Sequence, residues 1–161
     1  MNNIYKLCLG LGIVFSTSFA SMSQKTTKYK CMLQMTNYVG EGAYIVVSLV
    51  DAKGAYEKTL YVMGSDKKWY PDVKEWHKFY KKKPTNLSAI TGASVTGGDG
   101  SITTFEIEDA KINKGYTLRF ESAVEDKKYI VKDLEVPLTT EGIAAKTEGT
   151  GYIRYVRLSA N

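Results

Sequence analysis

Through most of this chain the apolar residues fall at every second position, and that spacing constrains the fold more than any other feature. Successive side chains on a strand point to opposite sides, so such a chain hides its apolar side by laying one sheet against another. Residues 43–50 (AYIVVSLV) read as a mostly buried strand, and Asp51-Ala52-Lys53-Gly54 supplies a turn with glycine where a positive φ is cheap. Residues 55–63 then return, which predicts a hairpin. Tyr29, Cys31, Leu33 and Met35 share one face of an earlier strand. In residues 101–108, Thr103, Phe105 and Ile107 alternate with Ile102, Thr104 and Glu106. After a turn around Asn113-Lys114-Gly115, a strand face carries Tyr116, Leu118, Phe120, Ser122 and Val124. Residues 129–136 and 152–158 complete about seven strands, a count that predicts an all-β, immunoglobulin-like antiparallel β-sandwich.

One segment keeps a different period. Val73, Trp76, His77 and Tyr80 are spaced i, i+3, i+4, i+7, which predicts one short helix inserted between strands. Pro71 suits its first turn, Lys81-Lys82-Lys83 its negative end, and Pro84 its stop.

Residues 1–20 have the form of a signal peptide: Lys6, the apolar run from Leu7 to Phe15, then small residues ending Ser18-Phe19-Ala20. The run is shorter than the roughly 20 apolar residues a membrane helix needs, and no later segment reaches that length. Residues 21–161 are then a single domain, exported to the periplasm and not membrane-spanning once the signal is removed. Removing the signal takes Cys8 and leaves Cys31, so no intramolecular disulfide forms, and Cys31 reads as a buried, inert thiol. The net charge of +5 falls by one with Lys6. That is too diffuse for nucleic acid, though it allows an acidic partner or an anionic cofactor.

Few residues carry obvious chemistry. His77 is the single histidine, which a Ser-His-Asp arrangement or most zinc sites would have to use. No second nitrogen or sulfur ligand lies at metal spacing, and His77 reads as packing beside Trp76 or bordering the site, so neither a metal site nor a catalytic residue is assigned. Trp69, Tyr70, Trp76 and Tyr80 cluster in sequence beside the lysine run. They anchor the helix on the sandwich in the plainer reading, and in the sharper one they form a ring-stacking wall for a flavin or a sugar, with Trp76 as the cofactor-binding member. Gly97-Gly98-Asp99-Gly100 reads as a turn into the next strand rather than a phosphate loop, because a strand and not a helix follows.

The order of several short motifs carries a family resemblance. They are residues 42–49 (GAYIVVSL), the hairpin through Gly54, Lys58-Thr59-Leu60, Lys68-Trp69, Glu75-Trp76, Thr91-Gly92-Ala93-Ser94, and residues 114–121 (KGYTLRFE). In that order they resemble an uncharacterised family of predicted periplasmic bacterial proteins, a domain of unknown function. The resemblance spans most of residues 21–161. It implies work beside PepSY-type membrane reductases and flavin transferases, in extracytoplasmic electron transfer. Thr91-Gly92-Ala93-Ser94 is similar to the acceptor sequence Asp-x-x-Ser/Thr-Gly-Ala-Thr/Ser, on which exported proteins carry FMN through a phosphoester. Carried across, Ser94 bears FMN while Gly92 and Ala93 leave it room. Ser88 stands where the acceptor pattern has its acidic residue, and Ser94 replaces the commoner threonine.

Two functions follow. One is a periplasmic redox accessory protein, not a stand-alone enzyme, with FMN on Ser94 beside Thr91, Gly92, Ala93 and Trp76. The other is a non-enzymatic β-sandwich binding module for a membrane partner or small ligand.

Overall fold

A computed structural model describes residues 24–161. The expected signal peptide lies outside the described residues. The chain runs β1 (Thr26–Met35), β2 (Tyr44–Val50), β3 (Tyr56–Met63), α1 (Lys74–Lys82), β4 (Thr91–Gly92), β5 (Gly100–Glu108), β6 (Thr117–Ala123), β7 (Ile130–Pro137), α2 (Thr140–Ala144), β8 (Lys146–Glu148) and β9 (Ile153–Ala160). The strands form two sheets, ordered β5-β1-β9-β8 and β4-β3-β2-β6-β7, antiparallel throughout except where β4 runs parallel to β3. The all-β sandwich is therefore as expected, and each of the seven expected strands is present. The two additional strands, β4 and β8, are only two and three residues long and too short to show a period.

The inner faces meet in one core that includes Cys31, Leu33, Ile45, Val47, Phe105, Leu118, Phe120 and Val156. The five-stranded sheet is buried on its other face as well. There α1 and the 3-10 turn before it cover Val46, Val62 and Ala123 with Tyr70, Val73 and Trp76. This third layer explains why β2 and β6 are buried along nearly their whole length. It also explains Glu121 on the outer side of β6, which accepts from the helix rather than from solvent, while Arg119 on the same side pairs with Glu135 of β7.

The helix itself starts later than the spacing predicts. Pro71 sits inside the 3-10 turn Lys67–Asp72, and α1 begins at Lys74. Val73, at the cap position, offers no side-chain acceptor. The first amides are satisfied from the sheet instead: Glu121 Oε2 accepts from the Trp76 N–H at 3.3 Å, and the Tyr129 hydroxyl accepts from the Glu75 N–H at 3.1 Å. Tyr56 donates to Glu121 Oε1 at 2.6 Å, and Tyr129 donates to Oε2. Burial pushes the Glu121 carboxyl above its usual range; these donors and the Arg119 guanidinium oppose the shift without cancelling it.

A second buried carboxylate fastens the two sheets together. Asp133 on β7 accepts from the backbone N–H groups of Gly151, Tyr152 and Ile153 at 2.7, 2.9 and 3.1 Å, and from the Ser122 hydroxyl. The turn leading into β9 is thereby hung on the opposite sheet.

Candidate functional site

The Thr91–Ser94 segment lies at the side of the sandwich, where β4 and β5 form the neighbouring edges of the two sheets. It is held at both ends. Val62 N–H donates to the Ile90 carbonyl and Gly64 N–H to that of Gly92, each at 2.8 Å, which docks β4 on β3. Beyond the segment, Val95 and Ala43 exchange backbone hydrogen bonds of 3.1 and 2.8 Å. The Tyr38 hydroxyl braces this second anchor, accepting from the Ala43 N–H at 2.9 Å and lying 2.9 Å from the Val95 carbonyl. Ala93 and Ser94 form an exposed arch between the two anchors.

The two hydroxyls of the segment have different fates. Thr91 Oγ1 donates to the Leu87 carbonyl at 2.8 Å and is tied into the loop. Ser94 is exposed and stands at the junction of two clefts. The first is bordered by Glu41, Tyr44, Trp69, Asp72 and Glu125. The second is bordered by Tyr61, Ala93, Asp99 and Ile102, with Met63 and Val95 at its floor. Glycine leaves room for Ser94 beside the start of β2: a Cβ on Gly42 would lie 2.5 Å from Ser94 Oγ.

Trp76, expected beside the cofactor, is elsewhere. It is 0% exposed, its Nε1–H donates to Thr59 Oγ1 at 2.9 Å, and its ring stacks on Tyr80 with centroids 5.2 Å apart. Tyr70 meets it edge-on at 5.2 Å. With both its ring and its N–H engaged, Trp76 anchors the helix and offers nothing to a ligand. The tryptophan on a cleft with Ser94 is Trp69, one of the neighbouring aromatics that share its sequence cluster. Glu41, Tyr44, Asp72, Glu125, Tyr61 and Ile102 reach the clefts from five separate stretches of chain, and no local spacing signals their convergence.

A family model described as "Predicted periplasmic protein (DUF2271)" matches residues 26–155, from β1 into β9. The chain belongs to this family. No curated protein and no solved structure matches. In this predicted periplasmic protein the matched residues include the Thr91–Ser94 arch, both clefts and the helix that Trp76 anchors. The periplasmic location expected from the sequence is that of the family, and no helix among the described residues is long and apolar enough to cross a membrane.

The remaining candidate groups of this family member are not nucleophiles or bases at the arch. Cys31 is buried in the core, and that burial pushes its thiol up to about 12. His77 borders neither cleft, and burial followed by the nearby Lys81 charge holds its imidazole below the usual value. Among the described residues, no three His, Cys, Asp or Glu side chains are grouped to hold a metal ion. The site therefore presents a positioned, accessible hydroxyl without a histidine or thiolate beside it. Such a hydroxyl can accept a group delivered by another protein's catalyst, and the carboxylates on its two clefts are those of Glu41, Asp72, Glu125 and Asp99.

Proposed function

We propose that this periplasmic protein is a redox accessory module that carries FMN as a phosphoester on Ser94 and exchanges electrons with a PepSY-type membrane reductase. The observation that carries the reading is the placement of Ser94: an exposed hydroxyl, on an arch fixed at both ends, among residues too small to shield it. A flavin transferase would supply the catalysis. The Ser94 Oγ–phosphorus bond forms as the bond from phosphorus to the donor's leaving group breaks, and the hydroxyl proton passes to the transferase. Gly92 and Ala93 put no bulk in the approach to that phosphorus, so the residues present fit the group. Bound FMN supplies the electron transfer; the protein supplies attachment, orientation and the local field.

Protein prepared from its own host's periplasm tests this directly. The expected sample is yellow and retains its flavin absorbance after denaturation and desalting. A colourless sample overturns the reading. One observation favours the binding-module reading: the carboxylates of Glu41, Asp72 and Glu125 beside Tyr44 and Trp69 suit a cationic partner. Stable co-purification of such a partner with flavin-free protein is the outcome that selects it.

A further inference from the structure

We propose that the ring carried on Ser94 rests in the cleft between Tyr61 and Ile102, at the β4–β5 edge, and not in the cleft walled by Trp69. The proposal rests on the FMN reading of Ser94 and adds the seat that the ring would take. Ser94 opens onto both clefts, so electrostatics and shape decide between them.

The Trp69 cleft faces Ser94 with Glu41, Asp72 and Glu125. None of these carboxylates is in an ion pair among the described residues. Lys68 Nζ lies 4.5 Å from the centroid of the Trp69 ring and Lys74 and Lys127 line an adjoining hollow, but none of the three is in an ion pair with these carboxylates. A phosphodiester on Ser94 is an anion, and it is repelled from the side where the carboxylates gather. The other cleft holds a single charged group, Asp99, among its lining residues. Its prominent side chains are Tyr61 and Ile102, which suit a flat, largely apolar heteroaromatic ring.

Two local details place those side chains next to the arch. A Cβ on Gly92 would lie 2.6 Å from the Tyr61 hydroxyl, so the glycine lets the phenol lie against the acceptor segment itself. Ile102 is 63% exposed on the outer face of an edge strand, where a ring lying against it would cover the apolar side chain. A ring stacked between the two would contact an apolar surface on one side and an electron-rich phenol on the other.

The test loads a flavin without the transferase, so that the seat is judged apart from natural attachment. Ser94→Cys in a Cys8→Ser background gives one reactive thiol, because Cys31 is buried. It is labelled with a maleimide that carries FMN through its phosphate and so keeps the phosphodiester charge. Flavin emission and its anisotropy are then read in this parent and in three further variants. The expected parent emission is strongly quenched by the adjacent phenol and regains intensity several-fold in Tyr61→Leu. Ile102→Lys, a change at an exposed position that leaves folding intact, lowers the anisotropy, while Trp69→Leu changes neither reading. Recovery of emission in Trp69→Leu but not in Tyr61→Leu overturns the proposal, as does parent emission equal to that of free flavin. Absence of a natural adduct on Ser94 in transferase-matured protein overturns the functional reading instead, and the labelled variants still decide the seat.

Discussion

Gly42 and Ser94 form a complementary pair: the serine side chain occupies the space that a side chain on the glycine would fill. A Cβ on Gly42 would meet Ser94 Oγ at 2.5 Å and Ser94 Cβ at 3.0 Å. Gly42→Ala therefore displaces the arch residue without touching the core. The expected result is a several-fold slower loading of flavin by the transferase, with folding stability changed by about 1 kcal/mol or less. Loading kinetics followed by mass spectrometry, beside a urea melt, check both parts.

Trp76 acts on stability, not on the site. Trp76→Ala removes a fully buried indole stacked between aromatic neighbours and should cost about 3–5 kcal/mol. Trp76→Phe should cost less, since the ring volume is mostly kept, but it leaves Thr59 Oγ1 without its indole donor. Urea denaturation measures both. Flavin loading per folded Trp76→Phe molecule should equal that of the parent.

Glu121 makes stability depend on pH. Its folded carboxyl titrates above the unfolded value because of burial, so the folded state holds the proton more tightly. The resulting stabilisation is complete below the ordinary carboxylate range and is lost as the pH rises through Glu121's elevated folded value. Glu121→Gln should remove this contribution, so the difference in unfolding free energy between parent and variant changes in the same direction across that window. Urea midpoints taken at several pH values check it; a difference that stays constant with pH contradicts the assignment.

Asp133 holds three backbone amides of the β8–β9 turn from the opposite sheet. Asp133→Ala strands those donors and should cost at least about 3 kcal/mol, given roughly 1.5–3 kcal/mol for each hydrogen bond to a charged group. Hydrogen exchange at Gly151, Tyr152 and Ile153 should accelerate before the rest of the four-stranded sheet.

Much of this architecture is legible in the sequence. The alternation of Tyr29, Cys31, Leu33 and Met35, and of Thr103, Phe105 and Ile107, is the burial pattern of β1 and β5. The Asp51–Gly54 turn is equally plain: the Asp51 carboxylate accepts from the Lys53 and Ala55 amides, and Gly54 has a φ of +85°. The outer layer is harder to read, because helical spacing marks Trp76 as facing something but not whether that neighbour is protein or ligand. Glu121 is visible in sequence only as an acid following Phe120, and its service to α1 depends on a helix that starts 47 residues earlier, at Lys74. The clefts are the least legible part. Side chains from distant segments build them, so local spacing points to Ser94 but not to the walls around it.

The most direct test of the FMN assignment is the intact mass of the protein matured beside its flavin transferase, compared with that of Ser94→Ala. The predicted result is one added FMN, less water, on the parent and none on the variant, with fragmentation placing the addition on Ser94. A parent without that mass, or an adduct that persists in Ser94→Ala, contradicts the account.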